Sequence, residues 1–407
     1  MSRILGIISE YNPFHNGHLY HLQESQNIIN PDYTVCIMNG NFMQRGNTSL
    51  INKWAKAQMA LNSGIDLVIE LPTVYGISSA ENFANGAIKI LNSLKCDTSV
   101  SFGSETGDIS ILNDFVNILL NEPSEYKSIL NHELSKGLSF PKARENAMLM
   151  YLNNVRKYSN VLSGSNNILA IEYLKAIKKQ KSNIYPFTIK RAGTDYNSLE
   201  SVGKFASATA IRGMLFEKKD VKSFMPASSY SILKEELKAG RFVKDISCFE
   251  KEIIYKIRTM TLAEIAEIAD ITEGLENKIK SAASSCNTFD ELIEKIKSKR
   301  YTLSRIHRIL LCILLGITKK DIANSHKTTP YIRVLAMNNH GKKLVSELSR
   351  NKNLNIITSV KPFLEKNNNK NLQAMLAKDI LASDIYTLAY KKDSKANLDF
   401  TNKLITK

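Results

Sequence analysis

The run Ile4-Leu5-Gly6-Ile7-Ile8-Ser9-Glu10-Tyr11-Asn12-Pro13-Phe14-His15-Asn16-Gly17-His18 holds a strand, its end and the start of a helix. Ile4–Ile8 is short and apolar, as a strand of a parallel sheet covered on both faces requires. Asn12-Pro13 closes it, and the proline ring keeps Asn12 out of the helical region. From Leu19 and Leu22 onward, apolar residues follow helical spacing. His15 and His18 stand three apart, so at a helix start both rings can face one way. Gly17 between them allows the backbone to approach a ligand closely. A helix N-terminus offers N–H groups and the positive end of its dipole, which suits phosphate. The expectation is a cradle for nucleotide phosphates. A zinc site is disfavoured, because no carboxylate or cysteine at ligand spacing completes it.

Further strand-like runs lie at Tyr33–Met38, Leu67–Leu71, Ser99–Phe102 and Ile184–Ile189. Helical patterns separate them at Leu19–Ile29, Lys53–Asn62, Ala80–Leu94, Ile109–Leu120 and Asn167–Lys179. Such alternation predicts an α/β fold with a parallel sheet. Ligands bind such sheets at the carboxyl ends of the strands, near the switch in strand order. The segments there are Asn39–Gly46 with Arg45, Glu70-Leu71-Pro72, Phe102–Glu105, and Lys190-Arg191-Ala192-Gly193. Their glycines and cations predict a shared pocket. Ser207-Ala208-Thr209-Ala210-Ile211-Arg212 reads as a capped helix start whose Thr209 and Arg212 share a face. That is either a second phosphate clamp or a plain N-cap beside a surface arginine.

The 407 residues suffice for two or three domains, and 43% hydrophobic content excludes a disordered chain. The net charge of +16 is uneven: residues 1–216 hold 20 Lys+Arg against 17 Asp+Glu, residues 217–407 hold 35 against 22. That asymmetry points the second part at a polyanion, RNA above all, or at a merely solvated basic surface. Five scattered cysteines without a CxxC suit a reducing cytoplasm. No signal peptide is visible, and the longest apolar run, Ile309–Ile317, is far short of the roughly 20 residues that span a bilayer. The expectation is a soluble cytoplasmic protein that uses no membrane.

The character changes near Phe216–Pro226, after which the pattern is nearly all helical and lysine-rich. The expected division is 1–222 and 223–407. Arg300, Arg305, His307 and Arg308, and then Arg333, His340, Lys342 and Lys343, stand beside apolar stripes as RNA candidates. Phe14, Phe42 and Tyr11 are candidates to stack on a base, though each also fits a core.

With these residues named, the chain resembles the bacterial tRNA(Met) cytidine acetate ligase family of the HIGH-type nucleotidyltransferases. The likeness is close at Gly6–Leu22, Met38–Gly46, Lys53–Pro72, Phe102–Glu105, Ser165–Tyr173 and Ser207–Arg212. It continues more weakly through Tyr301–Leu311 and Thr329–Asn338. Ala208 stands where the superfamily often has serine. The resemblance implies a Rossmann-like catalytic domain over 1–222 and a basic, all-helical tRNA-binding domain over 223–407. It implies that ATP and acetate form acetyl-adenylate, which acetylates the wobble cytidine of elongator methionine tRNA to N4-acetylcytidine. It makes His15 and His18 catalytic. Along the nucleotide it places the backbone of Ile8, Ser9, Glu10, Tyr11, Asn12, Pro13, Phe14, His15, Asn16, Gly17, His18, Leu19, Tyr20 and His21. It adds Gly103, Asn166 or Asn167, and Arg191 at the ATP site, with Ser207, Thr209 and Arg212 on the β and γ phosphates. Mg²⁺ is expected to arrive with ATP and not in a protein cage. Two rivals share part of this pattern: a small-molecule adenylyltransferase, and an RNA-binding protein that holds ATP without turnover.

Overall fold

The computed structural model describes residues 2–191, 203–272, 274–299 and 301–407. Ala192, Gly193 and Arg300 lie outside the described residues. In chain order the strands are β1 (Arg3–Ser9), β2 (Tyr33–Asn39), β3 (Phe42–Met43), β4 (Asn47–Thr48), β5 (Leu67–Leu71), β6 (Asp97–Ser104), β7 (Tyr185–Lys190), β8 (Ile332–Met337), β9 (Ile356–Ile357) and β10 (Ile405–Thr406). All five expected strands form, as β1, β2, β5, β6 and β7, and they run parallel in the order β5-β2-β1-β6-β7. The order reverses between β1 and β6. That is where an open α/β sheet leaves a crevice beyond its strand ends. The two-stranded β3-β4 hairpin sits apart, in the loop that follows β2.

Alternation along the strands explains why helices cover both faces. Val35 and Ile37 of β2 join one buried cluster, whereas Cys36 and Met38 join the other. In β5, Leu67 and Ile69 face the first cluster and Val68 the second. The second face carries helix α1 (Asn16–Ile29) and helix α2 (Lys53–Asn62), the first carries helices Ala80–Ser93 and Ser165–Lys179. Gly6 is required by packing: a Cβ there would lie 2.9 Å from both terminal methyls of Leu91.

The segment after Pro226 is mostly helical, as expected, but it also returns β8, β9 and β10 to the sheet. β8 pairs antiparallel with β5 and sets Arg333 opposite Glu70. Four buried charges meet at that seam. Lys53 of α2 contacts Glu70 at 2.9 Å and Asp399 at 2.7 Å, and Arg333 reaches Glu70 at 3.2 Å and also bonds to Asp399. Beside them, Asp379 accepts from the Thr73 N–H at 2.7 Å and from the Tyr331 hydroxyl. Burial, then the nearby Glu70, pushes the Asp379 carboxyl up to about 7. Arg333 is therefore a seam residue, not an RNA contact. Arg305 donates to the Asp270 carbonyl at 2.8 Å, and Arg308 pairs with the Asp270 carboxylate at 3.0 Å, so both also hold the fold. His340, Lys342 and Lys343 are exposed. Among the described residues, no helix is long and apolar enough to cross a membrane.

The seam yields a stability test. Arg333→Met leaves Glu70 and Asp399 with one cation between them, and removing one partner of a buried ionic group destabilises by about 3–5 kcal/mol. Urea unfolding should show a midpoint far below wild type. Loss of the exposed Lys219–Glu217 pair (2.7 Å) should leave the midpoint near its original value.

Candidate active site at the strand-order switch

Beyond the ends of β1 and β6 lies a cavity of about 540 Å³. Its wall begins with the loop from Ile8 to Asn12 and continues through His15, Gly17, His18, Tyr20 and His21. Gly103, Asn166, Arg191, Ser207, Thr209 and Arg212 complete the expected set. Five expected residues do not line it. Phe14 is buried in the core, and Leu19 packs against the cluster on that face. Asn16 donates to the carbonyls of Lys204 (3.0 Å) and Ser223 (2.9 Å). Asn167 is buried and accepts from the N–H groups of Glu105 and Thr106, at 3.0 and 3.2 Å. Pro13 is the fifth. Phe42 is also buried, so of the three proposed stacking residues only Tyr11 borders the cavity.

The start of α1 explains why two histidines and a glycine occur together. The Gly17 N–H donates to His15 Nδ1 at 3.1 Å, and the His15 N–H donates to His18 Nδ1 at 3.3 Å. This is a reciprocal cap in which imidazoles replace the usual hydroxyl and carboxylate. The rings stack with centroids 3.7 Å apart. A Cβ on Gly17 would sit 3.0 Å from His15 Cε1, so the glycine makes room for the cap. Because both Nδ1 atoms accept, a neutral ring carries its hydrogen on Nε2. Burial, then Arg191 and Arg212, lowers His15 to about 3. Burial, then His15 and Arg191, takes His18 well below the ordinary range, and burial with Arg191 brings His21 to about 4. The pair thus offers two neutral Nε2–H donors. His21 Nε2 lies 3.0 Å from the Ser101 hydroxyl, which meets Ser25 at 2.7 Å.

The Ser207 segment combines both of its readings. Ser207 caps helix Ala208–Phe216 by accepting from the Ala210 N–H at 3.0 Å. Arg212 donates to Thr209 Oγ1 at 3.2 Å and to the Asn12 carbonyl at 2.7 Å, which ties the clamp to the histidine loop. On the other side, a Cβ on Gly103 would lie 3.3 Å from Arg191 Cγ, so the glycine seats the arginine. Arg191 reaches Asn166 Oδ1 at 3.5 Å. Glu105 holds the start of helix Ser165–Lys179, accepting from the Asn166 and Asn167 N–H groups at 3.1 and 2.7 Å.

Two further walls complete the cavity. Phe83, Phe102, Leu169 and Tyr173 form an apolar corner, with Phe102 and Tyr173 centroids 5.5 Å apart. Apolar residues at helical spacing give no sign that one end of the stripe faces a cavity. The other wall is Leu303, Ser304 and His307, from the first turns of helix Leu303–Leu315. Gln44 and Arg45 of the loop after β2 line the cavity as well, and Gly46 of that loop packs on the helix. Glu10 borders this side and accepts from Asn39 Nδ2 (2.9 Å) and the Gln44 N–H (2.7 Å). The buried Lys56 ammonium fastens the same strand ends through the carbonyls of Glu10, Asn39 and Gly40, at 3.0, 3.0 and 2.7 Å. The cavity is lined by several cations and neutral donors, an arrangement that binds and polarises an extended anion.

The chain matches the family model "HIGH Nucleotidyl Transferase" over residues 2–400. A tRNA(Met) cytidine acetate ligase of a Thermoanaerobacter species is 48% identical over 404 residues, covering 99% of each chain. That of Acetivibrio thermocellus is 43% identical over 413 residues, again covering 99% of each. Thermotoga maritima TmcAL superposes with a TM-score of 0.93 in its apo form and 0.90 bound with alpha-thio ATP, at 34% identity and 99% coverage of both chains.

The lowered histidines set a pH test. An unfolded histidine titrates near 6.5, so as pH falls the unfolded chain takes up the proton first and the fold loses stability. His21 contributes fully above pH 6.5, and its contribution declines from there toward about 4. The stability of wild type minus that of His21→Asn should therefore fall by roughly 2 kcal/mol from pH 7.5 to pH 4.5. Denaturant titrations at the two pH values measure it.

Proposed function

This chain belongs to the HIGH nucleotidyl transferase family, and on that premise we propose that it is an ATP-dependent tRNA(Met) cytidine acetate ligase. Acetate and ATP give acetyl-adenylate and pyrophosphate; the wobble cytidine of elongator methionine tRNA then takes the acetyl group, giving N4-acetylcytidine and AMP. The observation that carries this reading is the pair of Nε2–H donors at the α1 start, facing the same cavity as Arg191, Arg212 and Thr209.

In the first step an acetate oxygen attacks the α-phosphate, and negative charge grows on the phosphoryl oxygens and on the departing pyrophosphate. His15 and His18 donate to those oxygens, and the α1 dipole adds its field. Their neutrality matters. A neutral donor gains strength as charge develops, while a pair of imidazolium rings stacked at 3.7 Å would repel. Arg212, Thr209 and Ser207 hold the β and γ phosphates. Gly103, Asn166 and Arg191 frame the adenosine end. Mg²⁺ would accompany the triphosphate and would offset part of its charge, with Arg191 and Arg212 supplying the protein's own share. Acetate is already ionised and needs no base. In the second step the wobble base leaves its stack and enters the cavity, as readers of single-stranded RNA require. The anticodon arm rests on the basic surface that follows Pro226, where His340, Lys342 and Lys343 are available to phosphates.

Incubation with ATP, labelled acetate and bulk tRNA should place label in N4-acetylcytidine and release free AMP. AMP attached to the acceptor would instead identify an adenylyltransferase. His18→Ala should slow acetate-dependent ATP–pyrophosphate exchange by roughly 100- to 1,000-fold, with tRNA affinity nearly unchanged. Equal loss of exchange and of tRNA affinity would contradict the assigned role. A filter-binding series should show tRNA affinity falling steeply with salt, as counterion release demands; a flat response would remove the basic surface from the reading.

A further inference from the structure

The second step needs a proton acceptor. The N4 group of cytidine is a weak nucleophile, and it must lose a proton as the amide forms. His15 and His18 are unsuited, since each has its Nδ1 committed to a backbone N–H and presents a hydrogen on Nε2. His21 already meets Ser101. His307 differs from all three. It lines the cavity from helix Leu303–Leu315, it is half-buried, and neither ring nitrogen has a hydrogen-bond partner among the described residues.

Its place in the sheet's geometry gives it a side. The strand order β5-β2-β1-β6-β7 puts the loop after β2 on one flank of β1 and Gly103 with Arg191 on the other. With Gly103, Asn166 and Arg191 framing the adenosine end over the second flank, the acceptor enters across the first. His307 stands there, packed on the loop after β2. Gly46 has φ of +79°, and a Cβ on it would sit 2.6 Å from His307 Cβ and 2.4 Å from Arg308 N. The turn is therefore pressed against the helix backbone where the imidazole emerges. The Phe289 ring packs beside it, 5.9 Å from the imidazole by centroids. Resting on the ligase reading, we propose that His307 is the catalytic base of acetyl transfer, contacting N4 of the flipped-out cytidine.

The step balances without a further reagent. The N4 lone pair forms the bond to the acetyl carbonyl carbon, and the carbon–oxygen bond to the adenylate phosphate breaks. The electron pair of that bond leaves on AMP. The proton from N4 passes to the unprotonated nitrogen of His307 and from there to solvent. Burial lowers the proton affinity of His307, with Asp245 acting against it, so the ring is available in its neutral form. Glu10 also borders this flank, but its Oε1 is occupied by Asn39 and Gln44, where it shapes the turn.

The test separates the two half-reactions. In His307→Gln, which keeps the side chain's bulk but not its basicity, transfer from preformed acetyl-adenylate to tRNA should slow by about 100-fold or more. Acetate-dependent ATP–pyrophosphate exchange should fall by less than about threefold, on the same scale of effects. Equal loss in both half-reactions would show a structural role and overturn the proposal. So would an unchanged transfer rate, or a selective loss of transfer in Glu10→Gln with none in His307→Gln. If His307→Gln does not fold, His307→Ala is assayed with added imidazole: recovered transfer supports the proposal, and no recovery overturns it. Wild type that exchanges pyrophosphate but acetylates no tRNA would sink the ligase reading and the proposal together. Active wild type with an unaffected variant would sink the proposal alone.

Discussion

The site depends on how the first turn of α1 is capped. Four backbone N–H groups at a helix start lack intrahelical partners. Here two imidazoles answer for it, His15 taking the N–H of Gly17 and His18 taking the N–H of His15. The bond that completes the cap also sets each ring's tautomer, its tilt and its stacking on the other. A serine and glutamate cap would close the helix as well, yet would leave no pair of neutral donors facing the rim. Stability and chemistry are served by the same atoms, so neither histidine can change without disturbing both.

Much of this was readable from the residues. Each apolar run of the first part became a strand of the sheet, because burial on both faces admits few polar residues, and one that is admitted, such as Ser101, is hydrogen-bonded. The histidine loop and the Ser207–Arg212 helix start came together because both follow from cap chemistry, which is local. The returning strands were hidden for the opposite reason. Ile332–Met337 contains an arginine, and only its partner across the sheet, Glu70, together with Asp399 far along the chain, makes that charge acceptable inside. The structural role of Arg305 and Arg308 was hidden in the same way, since their partner Asp270 is distant in sequence.

Individual glycines show the same limit. Gly17 and Gly103 looked like places where a ligand meets the backbone. In the fold, His15 and Arg191 occupy the room their missing side chains leave. A sequence states that space is needed at such positions but not what fills it. His307 is the converse case, a residue read with the basic surface that ends up on the wall of the cavity. Its neighbour across the wall, Gly46, belongs to the first part of the chain, so neither segment alone contains that corner.

The Glu105 contact sets a polarity for the whole rim. Helix Ser165–Lys179 also aims its amino end at this opening, but the protein's own carboxylate already sits on it. A string of phosphates arriving at the rim therefore meets attractive poles at α1 and at the start of helix Ala208–Phe216, and a neutralised one at helix Ser165–Lys179. It has one way round to lie. An internal anion, placed where a ligand would otherwise be welcome, acts as a direction mark for the guest.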